Sequence, residues 1–240
     1  MRLIKPYYEI ESEIDGEKIL KHIEKAARTC YKSEHLMGDF EKTKKFVQGV
    51  LSRGHESTIE HYSVSVRFII DRGVSHELVR MRLCSFSQES SRYCNYSDDK
   101  FGNDITYIIP PWIKLENGKY TFGSEICIKS ETTGSLIDIK VGDEIYEWLC
   151  ALATSENIYF NLIGKFNWKP EQARSVLPNA LKTEIVTTAN LREWRHIFKL
   201  RAAGTTGKPH PQMSEVMIPL LKEFQEKIPV LFDDIIVKED

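Results

Sequence analysis

The chain has 240 residues and a formal charge of −2, with 28% charged and 41% hydrophobic residues. Its length suffices to bury roughly 70–75% of the surface the unfolded chain exposes, while the near-neutral charge argues against a generally polyanion-binding surface, so any anion site must be local. No run of about 18 apolar residues occurs and the start lacks an apolar leader of roughly 7–15 residues, so no membrane span is expected and a cytoplasmic location is.

Residues 2–10 alternate loosely and are expected to form a strand. Ile19, Leu20, Ile23, Ala26 and Ala27 then recur at helical spacing over 15–31. A second helix is expected over 40–53, with Gly54 placed to stop it and a turn at 55–61. Over 62–71 the residues Tyr62, Val64, Val66, Phe68 and Ile70 alternate with Ser63, Ser65, Arg67 and Ile69, the pattern of a half-buried strand. Gly73 breaks that strand, and 75–83 reads as a short helix carrying Arg80 and Arg82.

From about 95 to 137 the apolar density falls, with Pro110-Pro111, Asn117-Gly118 and Gly134, so a surface excursion is expected, bearing a hairpin from 105–109 and 119–128. Residues 139–162 form an amphipathic helix candidate with Asp143 and Glu144 near its start. A helical turn over 171–176 ends before Leu177-Pro178, and 180–188 is rich in β-branched residues. Asn190 suits the N-cap of a helix to Arg201, with Leu191, Trp194, Ile197 and Phe198 on one side and Arg192, Arg195, His196 and Lys199 on the other. The loop 204–211 leads to a last helix over 213–227. The pattern gives one α+β domain over 1–240, a mixed or antiparallel sheet flanked by helices. The regular βαβ alternation of a doubly wound sheet is not visible.

The stretch 80–93 carries most of the chemistry. Arg80, Arg82 and Arg92 stand among Ser85, Ser87, Gln88, Glu89, Ser90 and Ser91, donors that suit a phosphate together with a polar heterocycle. The alternative is a solvated basic turn. Arg174, Arg192, His196 and Arg201 form a second group of donors, which could equally be the wet face of a helix. His55 and His61 flank a Glu-containing turn but lack a companion ligand set, so no metal is expected. Cys30, Cys84, Cys94, Cys127 and Cys150 form no C-x-x-C and read as reduced thiols. Glycine-rich phosphate loops and a G-x-S-x-G elbow are absent from the sequence.

Arg80, Arg82, Ser85, Ser90, Arg92 and Tyr93 fall in register with an R-H-R-x-x-S-x-N-x-x-S-x-R-Y pattern. The blocks Ala26-Ala27-Arg28, His55-Glu56-Ser57-x-x-Glu60-His61, Ala173-Arg174-x-x-Leu177-Pro178, Asn190-x-Arg192 and Leu200-Arg201 follow in matching order. Over about 15–230 the chain thus resembles the flavin-dependent thymidylate synthases. The resemblance implies reductive methylation of dUMP to dTMP, with methylenetetrahydrofolate as carbon donor and FAD passing hydride from NADPH. It implies a homotetramer with active sites at subunit interfaces. It assigns Glu77, Leu78, Val79, Arg80, Gln88, Glu89, Ser90, Ser91, Arg92, Arg174 and Arg201 to dUMP, with Arg201 as the catalytic residue at the uracil ring. It assigns Cys30, Ser57, Arg80, Met81, Arg82, Gln88, Asn190, Leu191, Arg192 and His196 to FAD.

The chain departs from the pattern at Met81 for His, Ser87 for Asn and Gln88 for an acid, and has Cys30 and His196 where Ser and Asn are common. A thioether cannot replace an imidazole donor. The alternative function is therefore a catalytically weakened nucleotide- or RNA-binding relative on the same scaffold.

Overall fold

Short acceptor side chains set the helix starts. Asp15 accepts from the Lys18 amide at 3.0 Å, Asp39 from that of Lys42 at 2.9 Å and Asn190 from that of Glu193 at 2.9 Å, each giving an orphan N–H a partner. The protein is described here from a computed structural model covering residues 1–97, 104–122, 128–130, 136–137 and 142–237. Its helices are α1 (Gly16–Thr29), α2 (Phe40–Ser52), α3 (Arg72–Leu78), α4 (Glu144–Gly164), α5 (Pro170–Ala173), α6 (Leu191–Arg201) and α7 (Pro211–Lys227). Its strands are β1 (Arg2–Ile4), β2 (Tyr7–Ile10), β3 (Ser63–Asp71), β4 (Cys84–Gln88), β5 (Thr106–Ile108), β6 (Gly118–Phe122), β7 (Ile128–Ser130), β8 (Leu136–Ile137) and β9 (Lys182–Asn190). Among the described residues the strands form two sheets, in the orders β5-β1-β6-β7-β8 and β2-β3-β9-β4. The α+β class expected from the sequence holds.

The chain divides into two units, each drawn from three separated stretches, so no single boundary in sequence parts them. One unit comprises Met1–Tyr7, Ile69–Glu77 and Gln88–Ile185. In it β1 runs parallel to β5, with Leu3 opposite Tyr107, and antiparallel to β6, with Leu3 opposite Gly118. Leu3, Tyr107, Tyr120, Leu149, Leu152, Tyr159 and Leu181 fill its core. Asp143 starts α4 by accepting from the Ile145 amide at 3.0 Å.

The other unit comprises Tyr8–Phe68, Leu78–Ser87 and Val186–Asp240. Its core is aromatic: Trp194 stacks on Phe198 at 5.6 Å, Phe198 meets Phe224 edge-on at 5.2 Å, and Phe232 closes on Phe224 at 5.3 Å. The Trp194 indole N–H donates to the Val64 carbonyl at 3.0 Å, so the ring is buried without an unsatisfied donor. This anchors α6, whose other face carries Arg192 and His196. Gly54, in the left-handed region at φ +74°, ends α2 as expected.

Three expectations need correction. The strand over 2–10 is two strands, because Pro6 has no N–H to give a ladder. The helix expected over 75–83 is α3, which starts earlier because Asp71 accepts from the Val74 amide at 2.7 Å, and 84–88 is the strand β4. Its alternation of part-buried Cys84, Phe86 and Gln88 with exposed Ser85 and Ser87 is the missed period-2 signal. Within the expected excursion, Ile105, Tyr107, Ile108, Ile109 and Tyr120 are buried core, because β5 and β6 flank β1. The stretches 98–103, 123–127 and 131–135 of it lie outside the described residues.

Candidate functional site

In the first unit the stretch after β4 is folded into a tight turn. The Ser90 carbonyl accepts from the Tyr93 and Cys94 amides, both at 3.0 Å, and the Ser90 hydroxyl from the Arg92 amide at 3.4 Å. Gln88 donates its amide to the hydroxyls of Ser75 at 2.9 Å and Thr183 at 3.2 Å. Glu89 accepts from Lys182 at 3.0 Å and from the Tyr96 hydroxyl at 3.3 Å. Burial works against the Lys182 charge, but the Glu184 and Glu89 carboxylates outweigh it and raise its pKa above the ordinary value. Burial first, and Glu89 second, hold the Tyr96 phenol protonated.

Arg174, distant in sequence, enters this turn from the 3-10 turn Arg174–Val176 and donates to the Ser91 hydroxyl at 3.1 Å. Ser91 is 5% exposed. Arg92 projects from the same turn, its Nε 3.8 Å from Glu171 and its guanidinium 5.4 Å from the Tyr93 ring. The serine hydroxyls and these two guanidiniums make a donor set suited to a phosphate. Glu77 ends this unit's share of α3 and is not part of that turn.

Among the described residues of the second unit lie a cavity of about 610 Å³, lined by Leu83, Asn190, Glu193, Arg195, His196 and Lys199, and another of about 640 Å³, lined by Arg28, Cys30, Tyr31, Phe46, Arg53 and Ser57. Glu56 and Arg192 line both. Arg192 is held by Glu60 at 2.6 Å and by Glu56 at 3.6 Å. Glu56 and Glu60 both belong to the 3-10 helix Glu56–His61, so one short segment supplies both carboxylates to the same guanidinium.

Of the residues assigned to FAD, Cys30, Ser57 and Arg192 share one cavity, and Asn190, Arg192 and His196 the other. The Asn190 side chain caps α6, which commits its oxygen to the Glu193 amide. Leu191 is wholly buried, as is Leu78, so each can offer a ligand only its backbone. Met81 is 6% exposed and packs as a core residue. Arg80, Arg82 and Val79 are exposed. Arg201 ends α6 half-buried and does not line either cavity.

Two readings of α6 change. Arg195, placed by periodicity on a wet cationic face, is 4% exposed and paired with Asp234 at 2.6 Å. Glu193 was passed over, yet it is 6% exposed and burial raises its carboxyl above the ordinary value, His196 opposing. Its place three residues before His196, on the same face, was the available signal. Burial first, and Glu193 second, push the Cys84 thiol up to about 12, so it is no nucleophile near neutral pH. Among the described residues no cluster of three or more His, Cys, Asp or Glu is arranged for a metal, and no helix is long and apolar enough to cross a membrane.

The first unit thus carries a turn rich in hydroxyl and guanidinium donors, and the second unit cavities lined by cations. Residues 15–230 match the family of the thymidylate synthase complementing protein. A flavin-dependent thymidylate synthase from Mycobacterium sp. (strain KMS) is 31% identical over 229 residues, covering 92% of this chain and 82% of that one. One from Clostridium tetani (strain Massachusetts / E88) is 32% identical over 218 residues, covering 88% and 80%. The chain belongs to the flavin-dependent thymidylate synthase family. Solved structures share the fold: a UMP/dUMP methylase, PolB, from Streptomyces cacaoi, bound with 5-Br dUMP, superposes with a TM-score of 0.73 at 18% identity, covering 97% and 96% of the two chains. Thymidylate synthase X from Helicobacter pylori, with FAD and dUMP, gives 0.66 at 20% identity, covering 98% and 100%.

Proposed function

We propose that this chain methylates dUMP to dTMP, taking the carbon from methylenetetrahydrofolate and the hydride from NADPH by way of FAD. The observation that carries it is the Arg174–Ser91 contact, which ties a distant arginine into the turn bearing Ser90 and Arg92 through a neutral hydroxyl, with no carboxylate paired to it among the described residues. Such a guanidinium keeps its attraction for a phosphate dianion, and the buried Ser91 hydroxyl fixes its direction.

The second unit's cavities fit a dinucleotide cofactor by their donor set. Arg53 and Arg192 supply cations for a diphosphate and Tyr31 a flat apolar face for a ring, while Arg28, paired with Glu24 at 2.7 Å, lies 4.2 Å over the Phe46 ring and stiffens that wall. FAD, when bound, supplies the hydride that protein side chains cannot. Arg192, Ser57 and His196 are the residues we assign to holding it. Arg201, following the family pattern, would place a fixed cation at the uracil ring, where it favours charge on N3 and O4 and so activates C5. With Cys84 held protonated, a thiolate attack on the uracil has no support from this residue. We further propose the assembly as a homotetramer, with sites completed by neighbouring subunits, and a single functional domain over 1–240.

Purified protein reconstituted with FAD should form dTMP from dUMP only when both methylenetetrahydrofolate and NADPH are supplied. Turnover that needs no FAD, or a reconstituted flavoprotein that oxidises NADPH without making dTMP, would sink the reading.

A further inference from the structure

Arg195 is the most deeply buried guanidinium of α6, and it makes contacts in two directions. Towards the C-terminal segment it forms a two-pronged pair with Asp234, Nη1 to Oδ1 at 2.6 Å and Nη2 to Oδ2 at 2.7 Å, and Nη1 also donates to the Leu231 carbonyl. Towards the cavities its Nε lies 3.5 Å from Glu56 Oε1, an ion pair too long for a good hydrogen bond. The other oxygen of the same carboxylate lies 3.6 Å from Arg192 Nε. One carboxylate is thus shared between a buried guanidinium and the guanidinium that lines both cavities.

The C-terminal segment is pinned independently of that pair. Gln225 donates to the Phe232 and Ile235 carbonyls, both at 3.1 Å, and Leu231, Phe232 and Ile235 are buried. Val230 turns through φ +63°, a conformation a β-branched residue adopts only under constraint, and donates its N–H to Asp233 at 3.2 Å. Asp234 is therefore presented to Arg195 by a fixed backbone.

We propose that Arg195 is a positioning residue coupling the C-terminal segment to the cofactor cavities: Asp234 sets its guanidinium, the guanidinium sets Glu56, and Glu56 with Glu60 sets Arg192. The ligand half of this inference rests on the flavin reading of those cavities. A buried guanidinium demands a counter-charge. If Asp234 loses its charge, Glu56 is drawn towards Arg195 and loosens its hold on Arg192, although Asp234 itself lines neither cavity and Arg195 lines only the smaller one.

Asp234→Asn tests this, because the site is more than half exposed and the change keeps the shape. Amide hydrogen exchange of the protein without ligand should quicken at 56–61 and at the start of α6, and FAD should bind about tenfold more weakly, the scale of one misplaced charge-assisted contact. Asp234→Glu should restore most of both. Quickened exchange confined to 228–237, a uniform rise over the whole chain, or an unchanged FAD affinity beside a wild type that binds FAD would each overturn the coupling. If the wild type takes up no FAD, the flavin reading fails, and faster exchange at 56–61 in D234N still supports the mechanical link.

Discussion

The donor-rich turn of the first unit and the cavities of the second both present arginines, but they hold them in opposite ways. Arg174 donates to a neutral hydroxyl, whereas Arg192 lies between the carboxylates of Glu60 and Glu56. A cation on a hydroxyl keeps its charge for a ligand anion. A cation between carboxylates is largely neutralised, and an anionic ligand must compete for it. The first arrangement suits strong, salt-sensitive capture of a phosphate, and the second suits orientation of a cofactor at modest gain per contact.

That contrast can be broken by substitution. Arg174→Ala should have the largest effect, weakening dUMP binding about 100-fold while leaving FAD affinity alone, because it removes an uncancelled cation and strips the buried Ser91 of its donor. Calorimetric titration with each ligand would check it, and equal losses for both would erase the distinction. Next comes Met81→His, which restores the family residue at a site that is 6% exposed. An imidazole buried there without partners should cost about 1–3 kcal/mol by denaturant melt. A stability gain, or a large rise in turnover, would show that position 81 is built for an imidazole after all.

Arg192→Ala should weaken FAD by only about tenfold, since the wild-type guanidinium already answers to Glu56 and Glu60. A loss as large as that of Arg174→Ala for dUMP would overturn the idea that its charge is cancelled. The smallest effect belongs to Glu193→Gln. Burial raises the folded-state pKa of Glu193 above its unfolded value, so its contribution to stability is intact below the unfolded pKa and is lost as pH rises through the folded one. The variant should therefore melt with the wild type near about pH 4 and above it near about pH 8. Identical curves at both ends would remove Glu193 from the list of stressed groups.

Much of this was written in local pattern. The alternation of 62–71 gave β3, the spacing of Ile19, Leu20 and Ile23 gave α1, and Asn190 marked the start of α6. The dense run of donors at 88–92 was legible in the sequence, because serines and arginines that close a turn lie within a few residues of one another. The β4 strand was hidden by weak alternation, with only Cys84 and Phe86 as apolar marks in a serine-rich run. A strand at 105–109 was expected, but its burial and the insertion of β1 between it and β6 were hidden, since apolar density averaged over a long window dilutes a three-residue strand.

What the sequence alone determined was the family, the start of α6 at its Asn190 cap, and the density of donors in the 80–93 stretch, all of which depend on neighbours in the chain. Only the tertiary structure decided that Arg195 is buried against Asp234 while Arg192 is held by Glu60, that Met81 is core, and that Glu193 sits where its charge is disfavoured. Two arginines three residues apart on one helix look alike to periodicity. Their roles diverge because Asp234 of the C-terminal segment reaches one and Glu60 of the 3-10 helix the other, with Glu56 between them, and charge compensation is fixed by distance rather than by sequence spacing.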